Sequence, residues 1–150
     1  MAEPRTRIRR PQVDDPVKEL ADWLQLLNEL ISDVRDWVQP EWSTRVIEKE
    51  MFDYALGKYE APALLMQRAI PRVILEPITR FAPGTDGVVR LYLMPAYDNI
   101  ATLARVEGEW KLKYIFRSDK AVVGIRNAEA LPLTEENFQQ VLAAIAIDAT

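Results

Sequence analysis

The spacing of the apolar residues changes from a helical period to a strand period along this chain, and that change constrains the fold most. From residue 17 to residue 38, apolar side chains recur every three or four positions, which predicts an amphipathic helix. Between residues 42 and 116, short apolar runs alternate with turn residues at intervals typical of an antiparallel meander. The order of these segments predicts an α+β fold.

The helix has clear start and stop signals. Asp15 can accept a hydrogen bond from a free amide group of the first turn, and Pro16 has the fixed torsion that suits the first helical position. Pro40 ends the pattern. The apolar stripe contains Val17, Leu20, Leu24, Leu27, Ile31, Val34 and Val38, and it is widened on one flank by Trp23, Leu30 and Trp37. We expect this stripe to pack against the sheet of the same domain.

Six strands are expected, over residues 44–52, 61–68, 72–79, 88–94, 100–106 and 110–116. The best-defined hairpin is the last one, where Glu107 and Gly108 suit a two-residue turn. That turn would place Leu103 opposite Leu112 on an apolar side. Lys111 would then point to the other, polar side.

Strands in the middle of the meander, such as residues 73–75 and 88–94, are apolar on both faces, so both faces of the sheet need a cover. The first helix can cover one face. A C-terminal helix, which should begin after Thr134 as its N-cap, is one candidate for the other face. A second subunit is the alternative cover, and residues 121–125 could add a short edge strand.

The charge of the chain is unevenly distributed. A length of 150 residues indicates one domain, and we expect a disordered basic arm over residues 1–13 and a single α+β domain over residues 14–150. Residues 1–12 carry a net charge of +3, and the rest of the chain carries −7. The arm holds Arg5, Arg7, Arg9 and Arg10, which are a weak candidate for nucleic-acid binding beside a merely solubilising role. The acidic body disfavours nucleic acid as a partner.

The chain contains no histidine and no cysteine. This excludes nucleophile pairs that use histidine, zinc sites built on imidazole or thiolate, and a histidine general base. No apolar run is long enough for a membrane span, and no cofactor or metal is expected. We expect the protein to act in the cytoplasm, without a membrane partner.

Catalysis would therefore depend on carboxylates, and two sets are candidates. Asp98, followed by Glu109 and Lys111, is similar to the pattern of an aspartate and a later Glu-x-Lys in metal-dependent nucleases. In that pattern the two carboxylates hold Mg²⁺. The expected turn at residues 107–108 would put Asp98 and Glu109 at opposite ends of a strand. Glu48 and Glu50 share a strand face at a spacing seen in glycosidases, but charges on an edge strand also prevent edge pairing.

A further charged set lies on one predicted strand. Arg72, Glu76 and Arg80 share a strand face, where they could bind an anion. Exposed ion pairing with a neighbouring strand is the simpler explanation.

The surfaces that we expect to bind a partner are Tyr92 and Met94 on the second sheet face, and Glu29, Asp33 and Asp36 on the helix. The order of elements resembles that of secretion chaperones and toxin-immunity proteins, a likeness of shape that transfers no residue role. The sequence thus predicts a non-enzymatic adaptor that acts through self-association or a protein partner. A carboxylate-based metal-dependent nuclease or hydrolase is the alternative.

Overall fold

The computed structural model describes residues 13–95, 98–114 and 130–147, and for residues 98 and 99 it describes the backbone alone. Two helices, α1 (Pro16–Val38) and α2 (Glu135–Ile147), accompany one antiparallel sheet. The strands are β1 (Ser43–Asp53), β2 (Gly57–Gln67), β3 (Arg72–Thr79), β4 (Val88–Leu93), β5 (Asp98–Val106), β6 (Glu109–Lys113) and β7 (Leu131–Pro132). The α+β prediction is confirmed. The basic arm up to residue 12, the strand at 121–125 and the end of the sixth predicted strand lie outside the described residues.

Helix α1 begins and ends where the sequence predicts. The Asp15 side chain accepts a hydrogen bond from the Lys18 amide at 3.1 Å, and the helix ends at Val38. Its buried face differs from the expected stripe. The centre of that face is the flanking Trp23, which is fully buried, whereas Val17 is 80% exposed. Burial of the Trp23 ring removes a large apolar area from water and so contributes strongly to the packing of α1 on the sheet.

The seven strands follow one another in sequence order across the sheet, as in a meander. Six strands were predicted, and the seventh is the two-residue β7 beside β6. The predicted register of the last hairpin is confirmed, because Leu103 pairs with Leu112. Glu107 and Gly108 have positive φ angles of 52° and 80°, as a tight turn between twisted strands requires.

Both helices lie on the same face of the sheet, which we call the inner face. The α2 cap is confirmed, because the Thr134 hydroxyl accepts a hydrogen bond from the Asn137 amide. However, the Phe138 ring lies 5.9 Å from the Trp37 ring, and Gln139 donates to the Trp37 carbonyl at 2.7 Å. Of the two candidate covers for the second face, α2 is therefore ruled out, because it packs in the same core as α1. Seven strands span about 29 Å and a helix only about 10 Å, so one helix cannot cover even one face.

The hairpin of β1 and β2 rotates about its own axis. Its register is unbroken from Ser43–Gln67 to Asp53–Gly57, so residues 59, 61, 63 and 65 of β2 would share one face of a flat ribbon. Ala63 and Leu65 lie on the face opposite the helices, but Tyr59 packs against the core beside α1. Because no bulge intervenes in the pairing, the change comes from twist, which is strong in two-stranded ribbons.

Lys49 lies where this ribbon leaves the plane of the sheet. Strand β2 pairs with β3 only over residues 64–67, so the second half of β3 loses that neighbour. The Lys49 ammonium donates to the Pro77 carbonyl at 2.8 Å and lies 3.6 Å from a Glu76 carboxylate oxygen. It thereby supplies a partner for a strand carbonyl beyond the end of the ladder.

Candidate functional site

The candidate site is the sheet face opposite the helices, which we call the outer face. Its apolar centre consists of the buried Ala63, Leu65 and Ile74 and the half-buried Ile47, Tyr92 and Met94. The register aligns Leu65, Ile74 and Tyr92 in one row across β2, β3 and β4. Tyr92 and Met94 thus lie on the second sheet face, where the sequence placed them.

The apolar centre is smaller than the sequence indicated. The sequence predicted that both sheet faces need a cover, because residues 73–75 and 88–94 are apolar on both sides of their strands. Val73, Leu75, Val89 and Leu91 all belong to the inner core, and the outer cluster has only three buried members. Leu65 is 8% exposed although, within the described ranges, no helix lies on the outer face. The outer face therefore needs less apolar cover than predicted.

A short polar network fixes the edge of the apolar centre. The Tyr92 hydroxyl donates to a Glu76 carboxylate oxygen at 2.9 Å, and the Lys49 ammonium lies 3.6 Å from the other oxygen of that carboxylate. The Glu76 side chain is only 16% exposed, so the network holds the Tyr92 ring in place. Of these three residues, the sequence placed Tyr92 in a partner-binding surface and Glu76 in a possible anion site, but it assigned no binding role to Lys49.

Cationic side chains surround the apolar centre, and we call them the basic rim. Side chains alternate between the two faces along each strand, so the residues known to lie on one face assign the others. Leu65, Ile74 and Tyr92 lie on the outer face of β2, β3 and β4, and Leu112 of β6 points to the inner face. The basic rim consists of Arg45, Lys49, Arg72, Arg90, Lys111 and Lys113. Only Glu76 and Glu109 oppose them among the described acidic side chains of that face. An acidic chain of net charge −4 therefore presents a basic sheet face.

The residues of the nuclease alternative are not brought together. Asp98 pairs with Leu93 at the start of β5, whereas Glu109 pairs with Val106 at its end. Eight residues of strand separate them by roughly 26 Å, so the two carboxylates cannot share a metal ion. Glu109 lies 3.6 Å from Lys111 in an exposed ion pair.

A third glutamate, Glu60 of β2, lies beside Glu48 and Glu50 of β1. Glu48 and Glu50 share a face of the hairpin, and the register places Glu60 opposite Glu50. A hydrogen bond with the Glu48 carboxyl, together with the negative charge of Glu48, raises the pKa of Glu60 above its ordinary value. All three side chains are exposed. The sequence did not predict that Glu60 joins these glutamates, because β2 was expected to begin at residue 61, although Gly57 marks the turn.

Two larger concavities and a smaller one of about 290 Å³ between α1 and β1 lie outside the outer face among the described residues. One of about 560 Å³ at the end of the hairpin is lined by Glu50, Glu60 and Phe52 among others. The other, of about 500 Å³, lies between the end of α1 and α2 and is lined mainly by apolar side chains such as Trp42 and Leu142. The hairpin concavity thus has two opposed carboxylates in its lining, and the one beside α2 has a single carboxylate, Glu41. Among the described residues, no group of three or more acidic side chains could hold a metal ion.

Arg72, Glu76 and Arg80 do not form the possible anion site, and Arg80 takes part in an ion pair with a helix residue instead of a neighbouring strand. Arg80 follows the end of β3 and turns to the helix side, where its Nε donates to a Glu19 carboxylate oxygen at 2.7 Å. Its guanidinium group lies 5.7 Å from the centre of the Trp23 ring. Arg80 therefore joins α1 to the sheet.

The acidic residues of α1 lie on the opposite side of the molecule from Tyr92 and Met94. Glu29, Asp33 and Asp36 are all exposed, on the side of the helix that points away from the sheet. Gln25 donates a hydrogen bond to Glu29 at 3.2 Å. The two surfaces that the sequence singled out for binding are thus separate faces.

Comparison with protein families found no family model that matches the chain, and comparisons with curated proteins and with solved structures found no match either. Neither helix of the described ranges combines the length and the apolar character that crossing a membrane requires.

Proposed function

We propose that the protein is a non-enzymatic adaptor, chaperone-like or immunity-like, that binds a protein partner or a second copy of itself through the outer face. The observation that carries this proposal is the small apolar centre inside a basic rim, in a chain that is acidic overall. A matching partner is acidic and contributes a few apolar side chains. The fold uses no disulfide and can form in a reducing compartment, so we also propose the cytoplasm as its location.

Charge, more than apolar area, sets the properties of this binding. The centre of the outer face is already largely buried, so little apolar surface remains for a partner to remove from water. The basic rim supplies attraction and orientation, which salt screens over about 10 Å at 0.1 M ionic strength. Binding should therefore be fast and salt-sensitive.

Charge reversal on the outer face tests this proposal. The wild type and a variant with Arg72→Glu and Lys113→Glu are immobilised, proteins from the native host are captured, and each captured protein is purified and titrated alone. We expect at least tenfold weaker binding to the variant at low salt, a loss of about 1.4 kcal/mol. Lys18→Glu on the exposed surface of α1 is the matched control and should change the affinity less than twofold. A partner that binds both outer-face forms equally would contradict the proposal.

A carboxylate-based hydrolase is the second candidate, because the shared hydrogen bond of Glu48 and Glu60 perturbs a carboxyl pKa beside a concavity. Full exposure of these carboxylates argues against it, since catalytic carboxyls work in sites that restrict water. Incubation with a panel of oligosaccharides tests it. Turnover that Glu48→Gln abolishes, in a variant with unchanged unfolding, would replace the adaptor proposal.

A further inference from the structure

The charges of this molecule are separated by layer. On α1, the exposed acidic residues Asp22, Glu29, Asp33 and Asp36 form what we call the acidic side. Lys18 on the same helix is already paired with Asp22 at 3.1 Å. The basic rim lies on the other side of the sheet. Each molecule therefore presents a negative surface and a positive surface that point in opposite directions.

This separation decides which surfaces can meet when two copies associate. Contact between two outer faces would bring one basic rim against another, and like charges at close range cost several kcal/mol in such interfaces. Contact between two acidic sides would likewise bring like charges together. The complementary arrangement places the acidic side of one copy on the outer face of another.

The spacings of the two surfaces agree. Along α1, Glu29, Asp33 and Asp36 lie at about 0, 6 and 10.5 Å, because a helix rises 1.5 Å per residue. Across the sheet, the register puts a second row at right angles to the strands, and neighbouring strands are about 4.8 Å apart. From the edge of the sheet inward, that row contains Lys113, Thr102 and Arg90. Glu76 continues it beyond Arg90, where the Tyr92 hydroxyl and the Lys49 ammonium contact its carboxylate.

The match is therefore one of length as well as of charge. A helix laid across the strands would place Asp36 near Arg90, Asp33 near Thr102 and Glu29 near Lys113, each within about 1 Å of register along the row. Arg90 and Lys113 would form charge pairs with Asp36 and Glu29. The threonine hydroxyl in the middle can donate to a carboxylate.

We propose that the outer face binds the acidic side of α1 from a second copy of this chain, front to back. This inference rests on the binding role of the outer face proposed above and names the partner. The contact is heterologous, so a pair of copies keeps one free outer face and one free acidic side, and further copies can add at either end. Low ionic strength favours the assembly and high ionic strength dissociates it.

Two charge-reversed variants of the full chain test the arrangement. The outer-face variant carries Arg72→Glu and Lys113→Glu, and the helix variant carries Asp33→Lys and Asp36→Lys. All four positions are exposed, so both variants should fold, which far-UV circular dichroism and thermal unfolding verify. Glu48→Lys, on an exposed hairpin face that belongs to neither surface, is the control.

Analytical ultracentrifugation of these proteins gives the result. At about 50 mM salt and a concentration of about 100 μM, we expect the wild type and the control to sediment at twice the chain mass of 17.2 kDa or more. At about 500 mM salt, both should approach the monomer. Each reversed variant alone should remain monomeric at low salt. An equimolar mixture of the two variants should associate again, because the reversed surfaces are complementary to each other.

Three results would overturn the front-to-back contact: a wild type that stays monomeric at low salt, an association that resists high salt, or a mixture of variants that does not associate. If a host protein nevertheless binds the outer face and is released by Arg72→Glu with Lys113→Glu, the adaptor proposal stands while the self-association is wrong. If no host protein binds and the mixture associates, self-association is the function of that face.

Discussion

Gly87 is the residue that most directly limits how the core can be built. It has a φ of +149°, and a Cβ added there would overlap the six-membered ring of Trp23, with the Cη2 atom only 2.7 Å away. Trp23 cannot easily move aside, because its indole nitrogen donates to the Tyr59 hydroxyl at 3.2 Å and Arg80 lies over its ring. The position therefore requires glycine for two reasons, backbone conformation and space.

Replacing this glycine should be costly for stability. We expect Gly87→Ala to lower the free energy of unfolding by about 2–4 kcal/mol, the sum of overpacking and of a strained backbone. The control is Gly84→Ala, which has a φ of +78° but no atom within 4 Å of the added Cβ, and which should cost about 1–2 kcal/mol. Urea unfolding of both variants measures the difference. Equal losses of unfolding free energy in the two variants would show that the Trp23 ring can move away from the added Cβ without destabilising the fold.

Residue roles that depend on near neighbours could be predicted, and those that depend on distant ones could not. The caps at Asp15 and Thr134 were identified because a cap is defined by the three residues that follow it. Gly87 was recognised only as a turn residue, since the ring that it accommodates lies 64 positions away in the sequence. The same holds for Arg80, whose spacing from Arg72 and Glu76 suggested a possible anion ligand and which instead pairs with Glu19.

At the scale of elements, the hairpin of β1 and β2 shows the limit of periodicity. The bounds of β3 were predicted without error, whereas β2 begins four residues earlier than expected, at Gly57. The start of β2 was not recognised from the sequence because Lys58 and Glu60, on either side of Tyr59, are charged residues of an exposed face. The twist of the ribbon leaves no mark in the pattern of any single strand.

The crowding of glutamates on this hairpin makes its stability depend on pH. The pKa of Glu60 is raised above its ordinary value of 4.5 by the hydrogen bond with Glu48 and by the charge of that residue. A raised pKa means that the folded state binds the proton more tightly than the unfolded state. The stabilisation is therefore complete below about pH 4.5 and is lost as the pH rises through the raised pKa. Glu60→Gln keeps a hydrogen-bond donor without the charge, so it should raise the melting temperature at pH 7 more than at pH 4.

Thermal unfolding of the wild type and of Glu60→Gln across this pH range measures the difference. Glu50→Gln is the control, because it removes a charge from the same face without touching the Glu48–Glu60 hydrogen bond. Its effect should be smaller and should change less between pH 4 and pH 7. A melting-temperature difference that is the same at both pH values for Glu60→Gln would show that the shared proton does not stabilise the hairpin.

For the molecule as a whole, the sequence predicted the parts but not the side on which α2 lies. The apolar stripe of α2, which includes Val141, Leu142 and Ile145, shows that one side is buried without showing against what. The width of the sheet decides the matter, since two helices are needed to cover one face. Placing both there leaves the other face to charged residues. The separation of charge that we use to infer self-association follows from this packing.

Because α1, α2 and the sheet share one continuous core, the described part of the chain should unfold as a unit. Phe138→Ala should lower the free energy of unfolding by about 3–5 kcal/mol, because the Phe138 side chain is fully buried beside Trp37 and its removal leaves a cavity. Ile147→Ala, at the exposed end of the same helix, should cost less than about 1 kcal/mol. Urea unfolding followed by tryptophan fluorescence and by far-UV circular dichroism measures both variants. Coincident midpoints are expected for Phe138→Ala, and separate midpoints would show that α2 detaches while the sheet and α1 remain folded.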